Sequence, residues 1–148
     1  MPASPTIRLA DDAATAAFGA ELADRLRPGD LVLLEGDLGA GKTALARAIL
    51  RRLLADPALE VPSPTFAIVQ PYQGNGRTVL HADLYRIGGE TDLDELGLLD
   101  DGEAIVLVEW AERAPSLARR ADLIVRLAIP PGGDGRLVGL SFAEPARG

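Results

Sequence analysis

Leu31-Val32-Leu33-Leu34-Glu35-Gly36-Asp37-Leu38-Gly39-Ala40-Gly41-Lys42-Thr43-Ala44-Leu45 is the stretch that decides the fold of this chain. Its first four residues are apolar without alternation, the pattern of a strand buried on both faces. From Ala44 to Leu54 the apolar residues Leu45, Ile49, Leu50, Leu53 and Leu54 recur with a helical period. Between strand and helix lies Gly36, Asp37, Leu38, Gly39, Ala40, Gly41, Lys42 and Thr43, which fits the spacing G-x-x-x-x-G-K-[ST]. The chemistry of a phosphate-binding loop explains each fixed position. Glycines let the backbone turn tightly and bring its N–H groups close to phosphate oxygens, where a β-carbon would obstruct. The positive end of the following helix adds attraction. Lys42 is then placed to reach the β- and γ-phosphates, and the Thr43 hydroxyl to ligate magnesium. All eight residues are candidate nucleotide contacts, with a nucleoside triphosphate and Mg2+ as the expected ligands.

Outward from the loop, Ile7 to Ala10 reads as an edge strand. Asp11 and Asp12 offer an N-cap to a helix carrying Phe18, Leu22 and Leu26, which Pro28-Gly29 ends. Downstream, the prolines of Val61-Pro62-Ser63-Pro64-Thr65 forbid helix. Phe66 to Tyr72 and Thr78 to Leu84 form a hairpin around Gln73-Gly74-Asn75-Gly76. A short helix is expected over Asp92 to Leu96. Ala104 to Val108 is a second fully apolar strand, and Asp122 to Ile129 with Arg136 to Phe142 make a last hairpin. The expected architecture is α/β: one P-loop NTPase domain over residues 1–148. It has a mixed, mainly parallel central sheet, flanking helices and added antiparallel hairpins, with 1–10 and 144–148 at its periphery.

Composition agrees with a chain of 148 residues that buries a real core without staples. The absence of cysteine removes thiol catalysis, zinc ribbons and iron–sulfur clusters. No apolar run approaches a membrane span, and Met-Pro-Ala-Ser-Pro-Thr lacks the marks of a signal peptide, so a cytoplasmic protein without membrane contact is expected. The net charge of −7 comes from one segment, Glu90 to Glu103, with seven acids and no base. That segment is either a solvated face or a docking surface for a basic partner. The remainder is balanced, so the chain has no charge footprint for gripping nucleic acid by itself. Fourteen of the 15 bases are Arg, and Lys42 is the single lysine.

Hydrolysis needs a carboxylate for magnesium and a group that orients water. Such acids sit at the carboxyl ends of strands beside the loop. Glu109 ends the apolar run from Ala104 and is assigned to Mg2+, directly or through water. Asp83 ends Val79 to Ala82 and stands behind the metal or beside the attacking water. Thr65 is either a switch residue sensing the γ-phosphate or a plain loop threonine. The lone His81 reads as structural. Trp110 packs beneath the site or faces a partner, and Tyr85 and Arg86 lie near phosphates or form a surface pair. Guanine selection by an Asn-Lys-x-Asp element has no lysine left to use, so ATP is the expected nucleotide. An acceptor-binding insertion, as in a small-molecule kinase, has no evident place.

Taken together, the loop, Ser63-Pro64-Thr65-Phe66, His81-Ala82-Asp83-Leu84-Tyr85-Arg86, Glu95-Leu96-Gly97 and Glu109-Trp110 resemble the bacterial TsaE (YjeE) family over about Asp11 to Arg113. The resemblance implies a small ATPase required for the threonylcarbamoyladenosine modification beside the anticodon of tRNAs. It implies association with the TsaB–TsaD heterodimer, whose multiple turnover ATP binding and hydrolysis support, and only indirect contact with tRNA. It also implies that Lys42 and the loop amides hold phosphates, Thr43 and Glu109 serve magnesium, Asp83 supports hydrolysis, Thr65 acts as switch and Thr15 lies near the adenine. The acidic segment becomes a candidate docking surface for TsaD or TsaB. A P-loop small-molecule kinase and a nucleotide-dependent binding module with negligible turnover are the competing readings.

Overall fold

In the computed structural model the described residues are 6–37, 39–62, 69–87, 93 and 95–142. Along them run β1 (Ile7–Leu9), α1 (Asp12–Arg25), β2 (Leu31–Glu35), α2 (Lys42–Leu53), β3 (Val69–Gly74), β4 (Arg77–Asp83), β5 (Ile105–Glu109), β6 (Leu123–Ala128) and β7 (Arg136–Phe142). Two 3-10 turns, Ala111–Arg113 and Pro115–Arg119, separate β5 from β6. The seven strands form one sheet in the order β1-β7-β6-β2-β5-β4-β3. Its centre, β6-β2-β5-β4, is parallel throughout. The flanking pairs β3–β4, β6–β7 and β1–β7 are antiparallel. The α/β class and the mixed sheet expected from the sequence are therefore what the chain adopts.

β2 and β5 occupy the middle because Leu31 to Leu34 and Ile105 to Val108 need apolar cover on both sides, and all eight are buried. Alternate residues divide them between two layers. Val32, Leu34, Ile105 and Leu107 meet Phe18, Leu22, Leu45, Ile49 and Leu50 of the helices. Leu31, Leu33, Val106 and Val108 meet Leu84, Leu98, Ala114 and Leu117, so among the described residues 3-10 turns, loops and the helical Leu93 and Leu96 cover that face.

Local chemistry fixes the element ends. Asp11 caps α1, its carboxylate accepting the Ala14 N–H at 2.9 Å. The helix stops at Arg25 because the residue before Pro28 is disfavoured in helix, and Leu26 is already extended. Gly19 lies against α2 so closely that a β-carbon there would stand 2.5 Å from Ala48 Cβ. That contact holds the two helices together on one side of the sheet. α2 begins at Lys42, two residues earlier than expected, because Gly41 in a left-handed conformation (φ 101°) ends the loop at once. Between β3 and β4 the turn narrows to Asn75 and Gly76, with φ of 53° and 73°, and both strands extend to the register pair Gly74–Arg77. β5 runs one residue further, through Glu109, because Glu109 still pairs with Leu34 and Asp83. Leu38, Ser63 to Ile68 (with Thr65), and Gly88 to Asp92 with Asp94 lie outside the described residues; Leu93, Glu95 and Leu96 are helical.

Candidate functional site

β2 delivers the chain into the glycine loop at Glu35, beside β6. Gly36 takes φ 150°, and a β-carbon on it would stand 2.5 Å from the Leu127 carbonyl oxygen and 3.1 Å from Ala40 Cβ. Only glycine lets the loop sit this close to β6. Gly39 (φ 83°) and Gly41 (φ 101°) are also left-handed, but around them a β-carbon would meet nothing within 4 Å among the described residues. The Ala40 N–H closes a turn on Asp37 O at 3.0 Å. From the other side of the sheet edge, Arg136 of β7 donates to Gly39 O at 2.9 Å and to Gly135 O at 2.6 Å. The loop is thus held at its start by β6 and at its tip by Arg136.

α2 starts immediately after the loop, and among the described residues no side chain caps its N-terminus. Its first-turn amides have no intrahelical acceptor and carry the positive end of the helix dipole. Lys42 is buried, and its Nζ donates to the Gly36 carbonyl and to Asp37 O at 3.0 Å. The same ammonium stands 4.0 Å from the centre of the Trp110 ring, a cation–π contact. Lys42 is therefore folded back onto its own loop.

Thr43, one residue on, reaches across to β5. Its hydroxyl donates to Glu109 Oε1 at 2.9 Å, and Glu109 Oε2 lies 2.6 Å from His81 Nε2. His81 and Glu109 are both buried, and among the described residues His81 Nδ1 has no hydrogen-bond partner. Asp83 shares a strand face with His81, two residues away, and is directly opposite Glu109 in the parallel register. Burial pushes the Asp83 carboxyl above its ordinary range, and the neighbouring Glu109 charge pushes the same way, against the lowering effect of the Tyr85 N–H that it accepts at 2.9 Å.

Trp110 follows Glu109 in a left-handed conformation (φ 59°), which turns its ring back over the loop. Its other neighbour is Tyr85, with ring centres 4.9 Å apart, and the Arg113 guanidinium lies 5.1 Å from the Tyr85 ring. Tyr85 remains 48% exposed. Trp110 thus sits beside the site, and the Tyr85 ring carries the cluster out to solvent; Arg86 is exposed as well.

Thr15 stands apart from this cluster. Its hydroxyl donates to Asp11 O at 3.3 Å, and it lines a groove of about 930 Å3 between α1, α2 and the β3–β4 turn. The groove reaches Ala44, the residue after Thr43, and continues past Arg47 and Arg51 to Arg77. Of the residues selected from the sequence, the fold brings together Gly36, Asp37, Gly39, Ala40, Gly41, Lys42, Thr43, Glu109 and Asp83. It sets Thr15 on the adjoining groove, while Leu38 and Thr65 lie outside the described residues. Two side chains that touch this cluster were given no functional role from the sequence. His81, read as structural, shares with Asp83 the i, i+2 spacing of one strand face and meets Glu109. Arg136, 97 positions from Gly39, carried no such signal.

A family model described as "Threonylcarbamoyl adenosine biosynthesis protein TsaE" matches residues 9–133 of the chain. Among curated proteins, the tRNA threonylcarbamoyladenosine biosynthesis protein TsaE of Streptomyces coelicolor is 44% identical over 99 residues, covering 64% of this chain and 66% of that protein. Its counterpart in Rickettsia felis is 41% identical over 93 residues, covering 62% and 53%. That of Haemophilus influenzae is 36% identical over 99 residues, covering 66% and 61%. The matches thus span about half to two thirds of the length of these curated relatives. Among solved structures, YdiB of Bacillus subtilis superposes with a TM-score of 0.70 at 22% identity, covering 97% of this chain and 89% of that one, a likeness of fold.

Proposed function

Because the chain belongs to the TsaE family, we propose that it binds ATP with Mg2+ at the Gly36–Thr43 loop and hydrolyses it in support of the threonylcarbamoyladenosine modification of tRNA. The observation that carries this reading is the Thr43–Glu109 hydrogen bond, which ties the first turn of α2 to the end of β5 beside the phosphate loop. One hydroxyl and one carboxylate are the donors a magnesium site needs when substrate phosphates and water supply the rest. The open space at Gly39 and Gly41, where a β-carbon would meet nothing, fits a phosphate cradle.

Thr43 and Glu109 would hold the Mg2+, which would supply positive charge against the charge of the phosphates. The chain's own groups do the remaining work. Lys42 must leave the Gly36 and Asp37 carbonyls and the Trp110 face to meet phosphate, so the binding of anion and the reshaping of the loop are one event. The amides of α2 orient the phosphates. Glu109 holds the Thr43 hydroxyl toward the metal position. Asp83, at the open end of β4, keeps one oxygen on the Tyr85 N–H and the other for a water that it orients. Thr15 offers the groove wall beside Ala44 to the adenine, and Thr65 acts as the switch that senses the γ-phosphate.

The partner in this reading is the TsaB–TsaD pair, met in the cytoplasm, with tRNA contacted only through it. Among the described residues no helix is long and apolar enough to cross a membrane. The acidic segment from Glu90 to Glu103 supplies a docking surface; neutralising Asp92, Asp94 and Glu95 together should weaken assembly with that pair and leave nucleotide affinity intact, and unchanged assembly would remove the idea.

The test is ATP hydrolysis with Mg2+, alone and with the TsaB–TsaD pair, for the wild type, Lys42→Ala and Glu109→Ala. Turnover stimulated by the pair and abolished by both substitutions is the expected result. Loss of ATP that needs a small-molecule acceptor and releases no phosphate would instead indicate a kinase. Nucleotide-dependent association without turnover would indicate a binding module.

A further inference from the structure

His81 is fully buried on β4, between Leu80 and Ala82 along the strand, and its register partners are Leu107 of β5 and Gln70 of β3. A leucine or phenylalanine there would leave no polar atom to satisfy. The imidazole instead brings a nitrogen, Nδ1, that has no partner, which is a cost in the interior. What it gains is the 2.6 Å hydrogen bond from Nε2 to Glu109 Oε2. An ionised carboxylate only accepts, so the proton of this bond resides on Nε2, and in the neutral ring the unpartnered Nδ1 is then a lone pair and not an N–H.

Glu109 has three side-chain torsions and two equivalent oxygens. Left alone, the carboxylate could turn either oxygen, or both, toward the Thr43 hydroxyl. With Oε2 taken by His81, Oε1 is the oxygen that faces Thr43. Groups behind a metal-binding carboxylate act in this way: they fix its orientation and raise its affinity without touching the metal. We propose that His81 is a positioning residue that pins Glu109 Oε2 and so aims Oε1 and the Thr43 hydroxyl as one preformed pair for Mg2+. This inference rests on the reading of Glu109 as the magnesium carboxylate.

Two variants and one spectroscopic signature test it. Gln places a donor nitrogen the same number of bonds from the backbone as imidazole Nε2, whereas Leu fills the space with no donor. The expected result is that His81→Leu needs about 10- to 100-fold more Mg2+ for half-maximal binding of a non-hydrolysable ATP analogue. His81→Gln should return the requirement to within a few-fold of wild type, and binding measured without Mg2+ serves as the internal reference. His81 is the only histidine of the chain, so in untagged protein its ring 15N signals need no assignment. In the metal-free, nucleotide-free protein they should report the Nε2-protonated tautomer, and the Glu109→Gln variant should alter them. A ring protonated on Nδ1 alone, or a folded His81→Leu protein with the wild-type Mg2+ requirement, or a His81→Gln protein no better than His81→Leu, overturns the inference while leaving the functional reading standing. Failure of the wild type to bind nucleotide at all would overturn both.

Discussion

Gly36→Ala should be far more damaging than Gly39→Ala, although both glycines lie in the same loop and both have positive φ. At either position an L residue costs about 1–2 kcal/mol for its backbone conformation. At Gly39 that is the whole penalty, because among the described residues the added methyl meets nothing within 4 Å. At Gly36 the methyl arrives 2.5 Å from Leu127 O and 3.1 Å from Ala40 Cβ. The oxygen belongs to the backbone of β6, which is paired with β2 on one side and β7 on the other, so it cannot retreat without loosening both ladders. Overpacking of this kind costs a further 1–3 kcal/mol or so, giving about 2–5 kcal/mol for Gly36→Ala. Urea unfolding without nucleotide measures the difference as a shift of midpoint at constant m-value. A Gly39→Ala protein as unstable as Gly36→Ala would refute the idea that β6 seats the loop.

Three further outcomes follow from named contacts. Burial raises the Asp83 pKa above its ordinary 3.8, so the contribution of Asp83 to stability is fully present below about pH 4 and is lost as pH climbs through the raised folded value. Urea titrations should therefore show the wild type losing ground to Asp83→Asn as pH rises from 3.5 to 7, and a pH-independent difference would contradict the burial of this carboxyl. Arg136→Ala should weaken nucleotide binding by roughly three- to tenfold in calorimetry, the worth of about one hydrogen bond to the loop tip. Arg136→Lys should not restore it, because one planar group serves both Gly39 O and Gly135 O; full affinity in the Lys variant would argue against the clamp. Gly19→Val should lower stability by about 1–3 kcal/mol through its collision with Ala48, and Ala48→Gly in the same chain should recover part of the loss, as thermal unfolding of the double mutant would show.

The frame of the site was legible in the sequence because its signals are local. β2, the loop and α2 are consecutive, and an uninterrupted apolar run identifies β5 and leaves Glu109 at its end. Hairpin turns announced themselves through Gln73-Gly74-Asn75-Gly76 and Pro130-Pro131-Gly132-Gly133-Asp134-Gly135. What stayed hidden depends on partners distant in the chain. That Glu109 meets His81 as well as Thr43 requires the parallel register of β4 and β5, which no local pattern encodes. The turn of Trp110 back over Lys42 rests on a left-handed residue that is not glycine. Sheet order was equally invisible, since β6 and β7 close the side of the sheet next to the loop although they come last. The element ends shifted by one or two residues where tertiary pairing prolonged a strand, as at Glu109, or where a glycine cut a loop short, as at Gly41.

Nucleotide binding at the glycine loop is the point on which everything else depends. Trp110 is the sole tryptophan, and Lys42 lies over its ring, so its emission should change when Lys42 leaves for phosphate. ATP and ADP would be titrated into the wild type, Lys42→Ala and Glu109→Gln, with and without Mg2+, reading this fluorescence alongside calorimetry. Saturable wild-type binding strengthened by Mg2+, abolished or severely weakened in Lys42→Ala, and deprived of the Mg2+ gain in Glu109→Gln is the expected result. A wild type that binds no nucleotide, or a Lys42→Ala protein with wild-type affinity, would contradict it.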